Sequence, residues 1–255
     1  IRHCITCERQ LQDIIQPIMA DLPKERLPSS VNFPFRTTGI DYLGPFFIKT
    51  PRAEKRYILL FTCLVTRAIH IEVTAKLNTD DTIQAIHLSK GQPHSIRSDN
   101  ATAFVSANKD LKAALKQLEL ASPDISARLG IHHIAWCFNP PAAPHFGGAW
   151  ERLIRSFKDT FYKIVGSRTL QESTLHTFAC EVEAVMNNRP LLHVSSDVTD
   201  MEPLTPNHLL LGRPQPVVPT GIFDRDTDAY SWKKAQLLAD NFWSRFIKEC
   251  LPTLQ

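Results

Sequence analysis

The first part of the chain alternates apolar and polar residues in the manner of β-strands. Residues 56–66 are rich in β-branched and aromatic side chains, which is typical of a buried strand. Residues 68–74 alternate isoleucine and valine with polar side chains, as a strand with one exposed face does. An apolar run over residues 38–48, interrupted at Gly44-Pro45, precedes both. Three successive strands joined by short turns predict an antiparallel meander.

Beyond residue 78, apolar positions recur mostly at the three- and four-residue spacing of helices. A first helix is predicted over residues 79–90, with Thr79 or Asp80 as its N-cap and Gly91 after its end. The other predicted elements are strands over residues 95–97 and 131–138 and helices over residues 108–120, 148–165 and 170–188. The order βββαβαβαα predicts an α/β fold.

The two ends of the chain lack such a sustained pattern. Residues 20–30 carry prolines and no periodicity, so an extended linker is expected before a core over residues 31–199. Residues 200–255 are predicted to be an extension that first wraps the core surface, because prolines recur there. Its last helix, over residues 230–250, is aromatic and basic. That helix packs either on this core or on a further module or partner, and the pattern favours neither.

Composition sets the class of protein. With 255 residues and 43% apolar side chains, the chain can bury a full core. Its net charge of +3 permits a polyanionic partner without requiring one. No apolar run approaches the ~20 residues that span a bilayer, and no targeting segment is visible, so no membrane partner is expected. Six cysteines, several within apolar stretches, favour reduced core thiols in an intracellular protein.

The chain begins close to a pair of cysteines, Cys4 and Cys7, spaced so that two thiolates can share one tetrahedral metal ion. A pair supplies only half of a zinc site, and no second pair of cysteines or histidines lies nearby. A redox pair or a lone thiol couple explains the spacing as well. Our interpretation is that residues 1–30 hold the end of a truncated zinc module and a linker.

Residues 139–147 are rich in proline and glycine, which predicts a loop because neither a helix nor a strand accommodates this composition. A strongly amphipathic helix is predicted after it. Glu151, Arg155 and Lys158 recur at i, i+4 and i+7, so one carboxylate and two cations line one edge of that helix. A capped surface helix explains the same pattern, with Glu151 favoured by the helix dipole and Arg155 as its ion-pair partner.

Two further acidic residues favour the functional interpretation. Asp41 lies within the first predicted strand, Asp99 directly after the fourth, and Glu151 in the first turn of the helix after the fifth. If these elements converge, three carboxylates meet in one pocket. Like charges so close repel one another, and such an arrangement persists only when a divalent cation or protonation offsets the repulsion. Oxygen-only ligation suits Mg²⁺ or Mn²⁺, and a two-metal site of this kind acts on phosphodiesters.

Three sequence motifs carry a family resemblance. Residues 39–46 (GIDYLGPF), residues 98–104 (SDNATAF) and the stretch from Phe138 to Arg152 together resemble the catalytic core of retroviral and LTR-retrotransposon integrases, in particular those of the Bel/Pao group. The resemblance covers most of the chain. The cysteine pair looks like the end of that group's zinc module, and the downstream matching segments are residues 187–191, 203–206 and 232–255.

The resemblance implies an RNase H-like fold, with a five-stranded mixed sheet flanked by helices. It implies an integrase, a polynucleotidyl transferase that removes nucleotides from the 3′ ends of element DNA and joins those ends to target DNA. Asp41, Asp99 and Glu151 match the metal-binding catalytic triad, which would hold Mg²⁺ or Mn²⁺. Zn²⁺ is implied at Cys4 and Cys7 only if the N-terminal module is complete.

The same resemblance implies DNA-binding positions and partners. Some of the matching residues lie beside the triad, and others lie in the loop over residues 139–147, which matches the mobile active-site loop of the family. They are Asn100, Asn139, His145, Arg152, Arg155 and Lys158. The implied partners are double-stranded element DNA ends, target DNA and further copies of the chain in a homo-multimer. The implied localisation is the nucleus during integration and an intracellular particle before it.

The sequence leaves two alternatives to an active integrase open. The first is a catalytically inactive, domesticated descendant that binds DNA or protein through the same fold. A general nuclease of the RNase H type would use the same carboxylates, but it would cleave DNA without joining ends.

Overall fold

The computed structural model describes residues 33–121, 134–139, 148–191, 203–213 and 232–249, and the side chains of 118, 119, 121 and 148–152 lie outside that description. Five strands and six helices fall within these ranges. The strands are β1 (Thr37–Phe47), β2 (Lys55–Cys63), β3 (Ile69–Thr74), β4 (Ser95–Ser98) and β5 (Ala135–Phe138). The helices are α1 (Thr79–Leu88), α2 (Thr102–Ala121), α3 (Gly148–Val165), α4 (Glu172–Asn187), α5 (Pro206–Leu211) and α6 (Trp232–Glu249).

The five strands form one mixed sheet in the order β3-β2-β1-β4-β5. Strands β1, β2 and β3 pair antiparallel as the predicted meander. Strands β1, β4 and β5 run parallel. Helix α1 precedes β4 and helix α2 precedes β5, so the chain returns to the same end of the sheet before each of these strands begins. This mixed sheet flanked by helices is the RNase H-like fold, so the predicted fold class is confirmed.

Both faces of the sheet are covered by helices. One face packs against α3, α4 and α6, and the other packs against α1 and α2. Strand β2, which lies between β3 and β1, is therefore buried over residues 58–63, as its continuous apolar run predicts. None of the helices in the described ranges combines the length and apolarity that crossing a membrane requires.

Phenylalanine rings join the helices of the first face to the sheet. Phe161 of α3 is fully buried, and its ring centroid lies 5.2 Å from that of Phe46 in β1 and 4.8 Å from that of Phe178 in α4. On the same helix, Phe157 lies 5.5 Å from Phe161 and 5.6 Å from Phe242 of α6. Four elements therefore share one aromatic cluster, and α3 is its centre.

The C-terminal helix docks on this domain's own core. Leu238, Phe242 and Phe246 of α6 are buried among residues of α3 and α4. The sequence allowed this helix to pack either on this core or on a further module or partner, and the apolar side chains of α6 pack on this core. Its basic residues stay at the surface.

Several element boundaries differ from the predictions. The N-cap of α1 is Asn78, whose Oδ1 accepts the Asp81 N–H at 2.9 Å, and neither Thr79 nor Asp80 takes that role. Helix α2 begins at Thr102, six residues before the predicted start, because Ala103 and Phe104 already pack into the core. The predicted beginning of β5, over residues 131–133, lies outside the described residues.

Two polar residues at the end of α4 bond to the chain at the start of the edge strand β3. The amide side chain of Asn187 accepts the Ile69 N–H and donates to the Ile69 carbonyl, both at 2.8 Å, as a neighbouring strand would. The guanidinium group of Arg189 is buried and donates to the carbonyls of Met186 and Arg67, both at 2.6 Å. Buried polar groups of this kind are costly unless they are bonded, so this pair has a structural role.

Replacing Phe161 with Ala should lower the free energy of unfolding by about 3–5 kcal/mol, because it leaves a cavity at the centre of the aromatic cluster. Urea unfolding monitored by circular dichroism measures this change. Val105→Ala on α2, where the valine is 46% exposed, is the matched control and should cost less than about 0.5 kcal/mol. Equal losses from both variants would contradict the central role of α3 in the core.

Candidate functional site

A pocket of about 310 Å³ opens between β1, the ends of β4 and β5, and helix α3. Its lining combines acidic, basic and amide side chains with few apolar ones. The lining residues are Ile40, Asp41, Asp99, Asn139, Ile154, Arg155, Lys158, Asp159 and Tyr162. Five of the residues that the sequence singled out thus meet in one place: Asp41, Asp99, Asn139, Arg155 and Lys158.

The parallel pairing of β1 with β4 explains why the two aspartates meet. Gly39 of β1 is in register with Arg97 of β4. Asp41 lies two residues further along β1, and Asp99 lies two residues after Arg97, directly after β4 ends at Ser98. Side chains two residues apart in a strand point to the same face. The two carboxylates therefore reach the same end of the sheet, beside α3.

The chain after β4 and β5 is tied together at the floor of the pocket. The Asn139 N–H donates to the Ser98 carbonyl at 2.9 Å, which extends the pairing of these strands by one bond. The Asn100 amide group donates to the Asn139 carbonyl at 2.8 Å. Asp99 Oδ1 accepts the Ala101 N–H at 3.0 Å, which turns the chain towards α2. Asn100 therefore supports the pocket and does not line it.

An ion pair compensates the negative charge of Asp41. The Lys158 ammonium group lies 2.6 Å from Asp41 Oδ2, and the two side chains are only 24% and 28% exposed. Burial raises the pKa of Asp41 and the nearby charge of Asp99 raises it too, while the charge and hydrogen bond of Lys158 lower it. The net direction is upward. Without the lysine, two carboxylates would face each other in a partly dry site.

Helix α3 supplies the other wall of the pocket. Arg155 is exposed at its mouth, and Lys158 reaches inward to Asp41. Tyr162 binds the backbone of Gly44, because its hydroxyl accepts the Gly44 N–H at 2.7 Å and donates to the Gly44 carbonyl at 3.2 Å. Gly44 has φ +125°, and an added Cβ would lie 3.0 Å from both the Arg56 carbonyl oxygen and the Tyr57 ring, so glycine is required there. This contact fixes α3 against β1.

Several predicted site residues fall partly or wholly outside the described residues. His145, Cys4 and Cys7 lie outside them altogether. Glu151 and Arg152 lie in the first turns of α3, and only their side chains are outside the description. The Glu151 backbone is one turn before Arg155 and two turns before Lys158, on the helix face that carries both. Among the described residues, no group of three or more His, Cys, Asp or Glu side chains is placed to hold a metal ion.

Two lining residues, Asp159 and Tyr162, were not predicted as site residues. Asp159 follows Arg155 at i+4, and Tyr162 follows Lys158 at i+4, which are signals of one shared helix face. The sequence therefore contained the spacing, but it did not show which edge of α3 faces the sheet.

A second cavity, of about 670 Å³, lies at the β3 edge of the sheet, between β3 and α4. It is larger than the pocket at Asp41, but its charged residues are bonded to one another. Glu183 accepts hydrogen bonds from the Lys90 ammonium at 2.6 Å and from the Ile71 N–H at 2.9 Å. Opposite charges offset one another here, so we assign this cluster a structural role.

His70 is the centre of that cluster and carries a positive charge. Its two ring nitrogens lie 2.9 Å from a Glu183 oxygen and 2.8 Å from a Glu72 oxygen, so both must donate. Burial lowers the pKa of His70, but the hydrogen bonds and charges of the two glutamates outweigh it and raise the pKa to about 9. The imidazolium therefore ties the edge strand to α4.

Comparison with known proteins adds a likeness of fold. No family model matches the chain, and no curated protein matches it. A chain of the cryo-EM structure of the simian T-cell lymphotropic virus intasome in complex with PP2A regulatory subunit B56 gamma is similar at 16% identity and a TM-score of 0.45, over 88% of this chain and 69% of that one. The catalytic core domain of BIV integrase is similar at 16% identity and a TM-score of 0.41, over 70% of this chain and 95% of that one. Identity this low concerns the fold alone, which the strand order already defines.

The charged state of His70 makes stability depend on pH. A histidine whose pKa is higher in the folded state stabilises the fold fully below its unfolded pKa of 6.5, and this contribution disappears as the pH rises through about 9. We expect the free energy of unfolding to fall by about 3 kcal/mol between pH 6 and pH 10. Urea unfolding at each pH measures it.

The control for this prediction is His70→Gln, which cannot titrate. The difference in unfolding free energy between the two proteins should be largest near pH 6 and should shrink towards pH 10. A difference that is independent of pH would show that the pKa of His70 is the same in the folded and unfolded states, which contradicts this prediction.

Proposed function

We propose that this protein is an integrase-type polynucleotidyl transferase that processes the 3′ ends of element DNA and transfers them into target DNA. The observation that carries the proposal is the meeting of Asp41 and Asp99 in one pocket, beside the basic edge of α3. Paired carboxylates next to cations suit phosphodiester chemistry, where a polyanionic substrate must approach an acidic centre. The integrase-like motifs at residues 39–46 and 98–104 lie at this pocket and support the proposal.

The donor set of the pocket suits a divalent cation. Asp41 and Asp99 offer carboxylate oxygens, which are the ligands that Mg²⁺ and Mn²⁺ prefer. A positive group, the Lys158 ammonium, already lies against Asp41, at the place where the two negative charges need compensation. In the proposed enzyme Asp41, Asp99 and Glu151 would hold Mg²⁺ or Mn²⁺. When bound, such ions neutralise developing charge and activate the attacking oxygen in an in-line displacement at phosphorus.

The basic residues of α3 would bind the phosphates of the DNA end. Arg155 is exposed at the mouth of the pocket, and a guanidinium group donates two parallel hydrogen bonds to a phosphate. Lys158 pairs with Asp41 and would be available to a phosphate once a bound cation neutralises that carboxylate. Arg152 and His145 are proposed to contact DNA as well, and Asn100 and Asn139 to shape the floor between them.

The remaining parts of the proposal follow from the same resemblance. Two DNA ends have to be brought together, so a homo-multimer is proposed as the working assembly, with nuclear localisation during integration. The Bel/Pao group is the proposed origin of the chain. Zinc is proposed at Cys4 and Cys7 only within a longer, complete N-terminal module.

Replacing Asp99 with Asn should abolish strand transfer, with a loss of at least about 100-fold, because the amide oxygen ligates divalent cations more weakly and carries no charge. The measurement is joining of a labelled duplex oligonucleotide to plasmid DNA in Mg²⁺ or Mn²⁺. Asp110→Asn, at an exposed position of α2 on the other face of the sheet, is the matched control and should leave product unchanged.

Two results of this assay would contradict the proposal. Equal product from the Asp99→Asn protein and the parent chain would remove Asp99 from the chemistry. Cleavage of DNA without any joining of ends would instead assign the chain to nucleases of the RNase H type.

Replacing Lys158 with Met should make Mn²⁺ bind more tightly, because the ion would no longer compete with the ammonium group for Asp41. Electron paramagnetic resonance of free Mn²⁺ measures the affinity directly and does not depend on activity. Lys112→Met, at an exposed position of α2, removes the same charge far from the pocket and should have little effect. Unchanged affinity in the Lys158→Met protein would exclude the pocket as the metal site.

A further inference from the structure

A second basic surface lies on the other side of α3, where the end of that helix meets α6. The groove between them measures about 790 Å³. We name it the α3–α6 groove. Its lining residues are Lys163, Ile164, Arg168, Lys234, Leu237, Leu238, Asn241, Ser244, Arg245, Lys248 and Glu249.

The α3–α6 groove has a large excess of positive charge. Five of its lining residues are cations, and one, Glu249, is an acid. Glu249 is 2.5 Å from the Lys163 ammonium and 2.7 Å from Arg245 Nε, so one carboxylate serves two cations. Lys234 and Lys248 make no ion pair within the described part of the chain. This is a net charge that the groove itself does not offset, unlike the cluster at His70.

The cations follow one stripe of α6. Lys234, Asn241, Arg245 and Lys248 lie at i, i+7, i+11 and i+14, which is a single helix face. At about 1.5 Å per residue, the stripe from the first lysine to the last is about 21 Å long. One nucleic-acid strand presents a phosphate about every 3.4 Å along a duplex axis, so this length suits several phosphates and exceeds a single one.

The side chains of the groove suit contact with the phosphate backbone of a nucleic acid and do not suit contact with its bases. None of its lining residues in the described part of the chain is aromatic, so these residues offer unpaired bases no stacking platform, which single-strand binding requires. Asn241 and Ser244 add neutral hydrogen-bonding groups of the kind that contact phosphate and sugar oxygens. We infer that the α3–α6 groove binds the phosphate backbone of duplex DNA.

This contact is separate from the pocket that holds Asp41. Lys163 lies five residues after Lys158, which turns it by about 140° around α3 and moves it about 7.5 Å along the axis. The two cations therefore face different sides of one helix. The inference deepens the proposed function and rests on it for the choice of DNA as ligand: the groove would hold a duplex segment other than the one whose end enters the pocket.

The test measures how the binding of a duplex of arbitrary sequence depends on salt, by fluorescence anisotropy with the whole chain. The double variant Lys234→Gln/Lys248→Gln should reduce the slope of log K against log salt by about 1.8, because each lost phosphate contact removes about 0.9. The affinity loss between about 50 and 200 mM salt should then shrink by about tenfold. Lys112→Gln/Lys116→Gln on α2 has the same net charge and should keep the parent slope.

The outcomes separate this inference from the proposed function. A slope in the groove variant equal to that of the α2 control overturns the groove assignment, whatever a parallel Arg155→Gln protein shows. A reduced slope in the groove variant, with Arg155→Gln unchanged, supports the groove and contradicts the DNA role of the pocket. A larger effect on a single-stranded oligonucleotide than on the duplex would overturn the choice of duplex. The single variants Lys234→Gln and Lys248→Gln, each expected to remove about half the effect, keep the test valid if the double variant unfolds.

Discussion

Repulsion between two carboxylates is the constraint around which the pocket is built. Asp41 and Asp99 reach the same end of the sheet because β1 and β4 run parallel in a fixed register. Like charges in one partly dry site are tolerated only when a cation lies beside them or one of them is protonated. Lys158 supplies that cation, and it can do so only if α3 lies firmly over β1. The ring cluster around Phe161 and the hydroxyl of Tyr162 on the Gly44 backbone keep the helix there.

Helix α3 therefore presents three different faces, to the core, to the pocket and to the α3–α6 groove. Phe157, Phe161 and Val165 face the core, Arg155 and Lys158 line the pocket, and Lys163 lines the α3–α6 groove. A helix of 18 residues makes five turns, enough for each face to repeat several times. Because the faces share one rigid backbone, the position of the pocket relative to the groove is set by the helix itself.

The cluster at the β3 edge uses charge differently from the pocket at Asp41 and the α3–α6 groove. At β3, His70 lies between two glutamates and Lys90 completes the set, so the charges are balanced by partners that the protein provides. Such a cluster stabilises an edge strand, and it also leaves no surplus charge to attract a ligand. At the pocket and in the groove the balance is incomplete. The surplus positive charge of the groove suits a phosphodiester backbone. At the pocket, a divalent cation bound by the carboxylates would let the same backbone approach.

The amino-acid sequence alone determined the fold class and the order of its elements. Side-chain composition located the buried strand over residues 56–66, and helical periodicity located the amphipathic helix over residues 148–165. Asp41, Asp99, Arg155 and Lys158 were singled out by their positions in the predicted elements, whereas Asn139 was named because it matches a position of the integrase family. Only the tertiary structure decided which of them touch. The ion pair of Lys158 with Asp41, the docking of α6 on the core and the start of α2 at Thr102 depend on contacts between residues far apart in the chain, and such contacts leave no periodic signal.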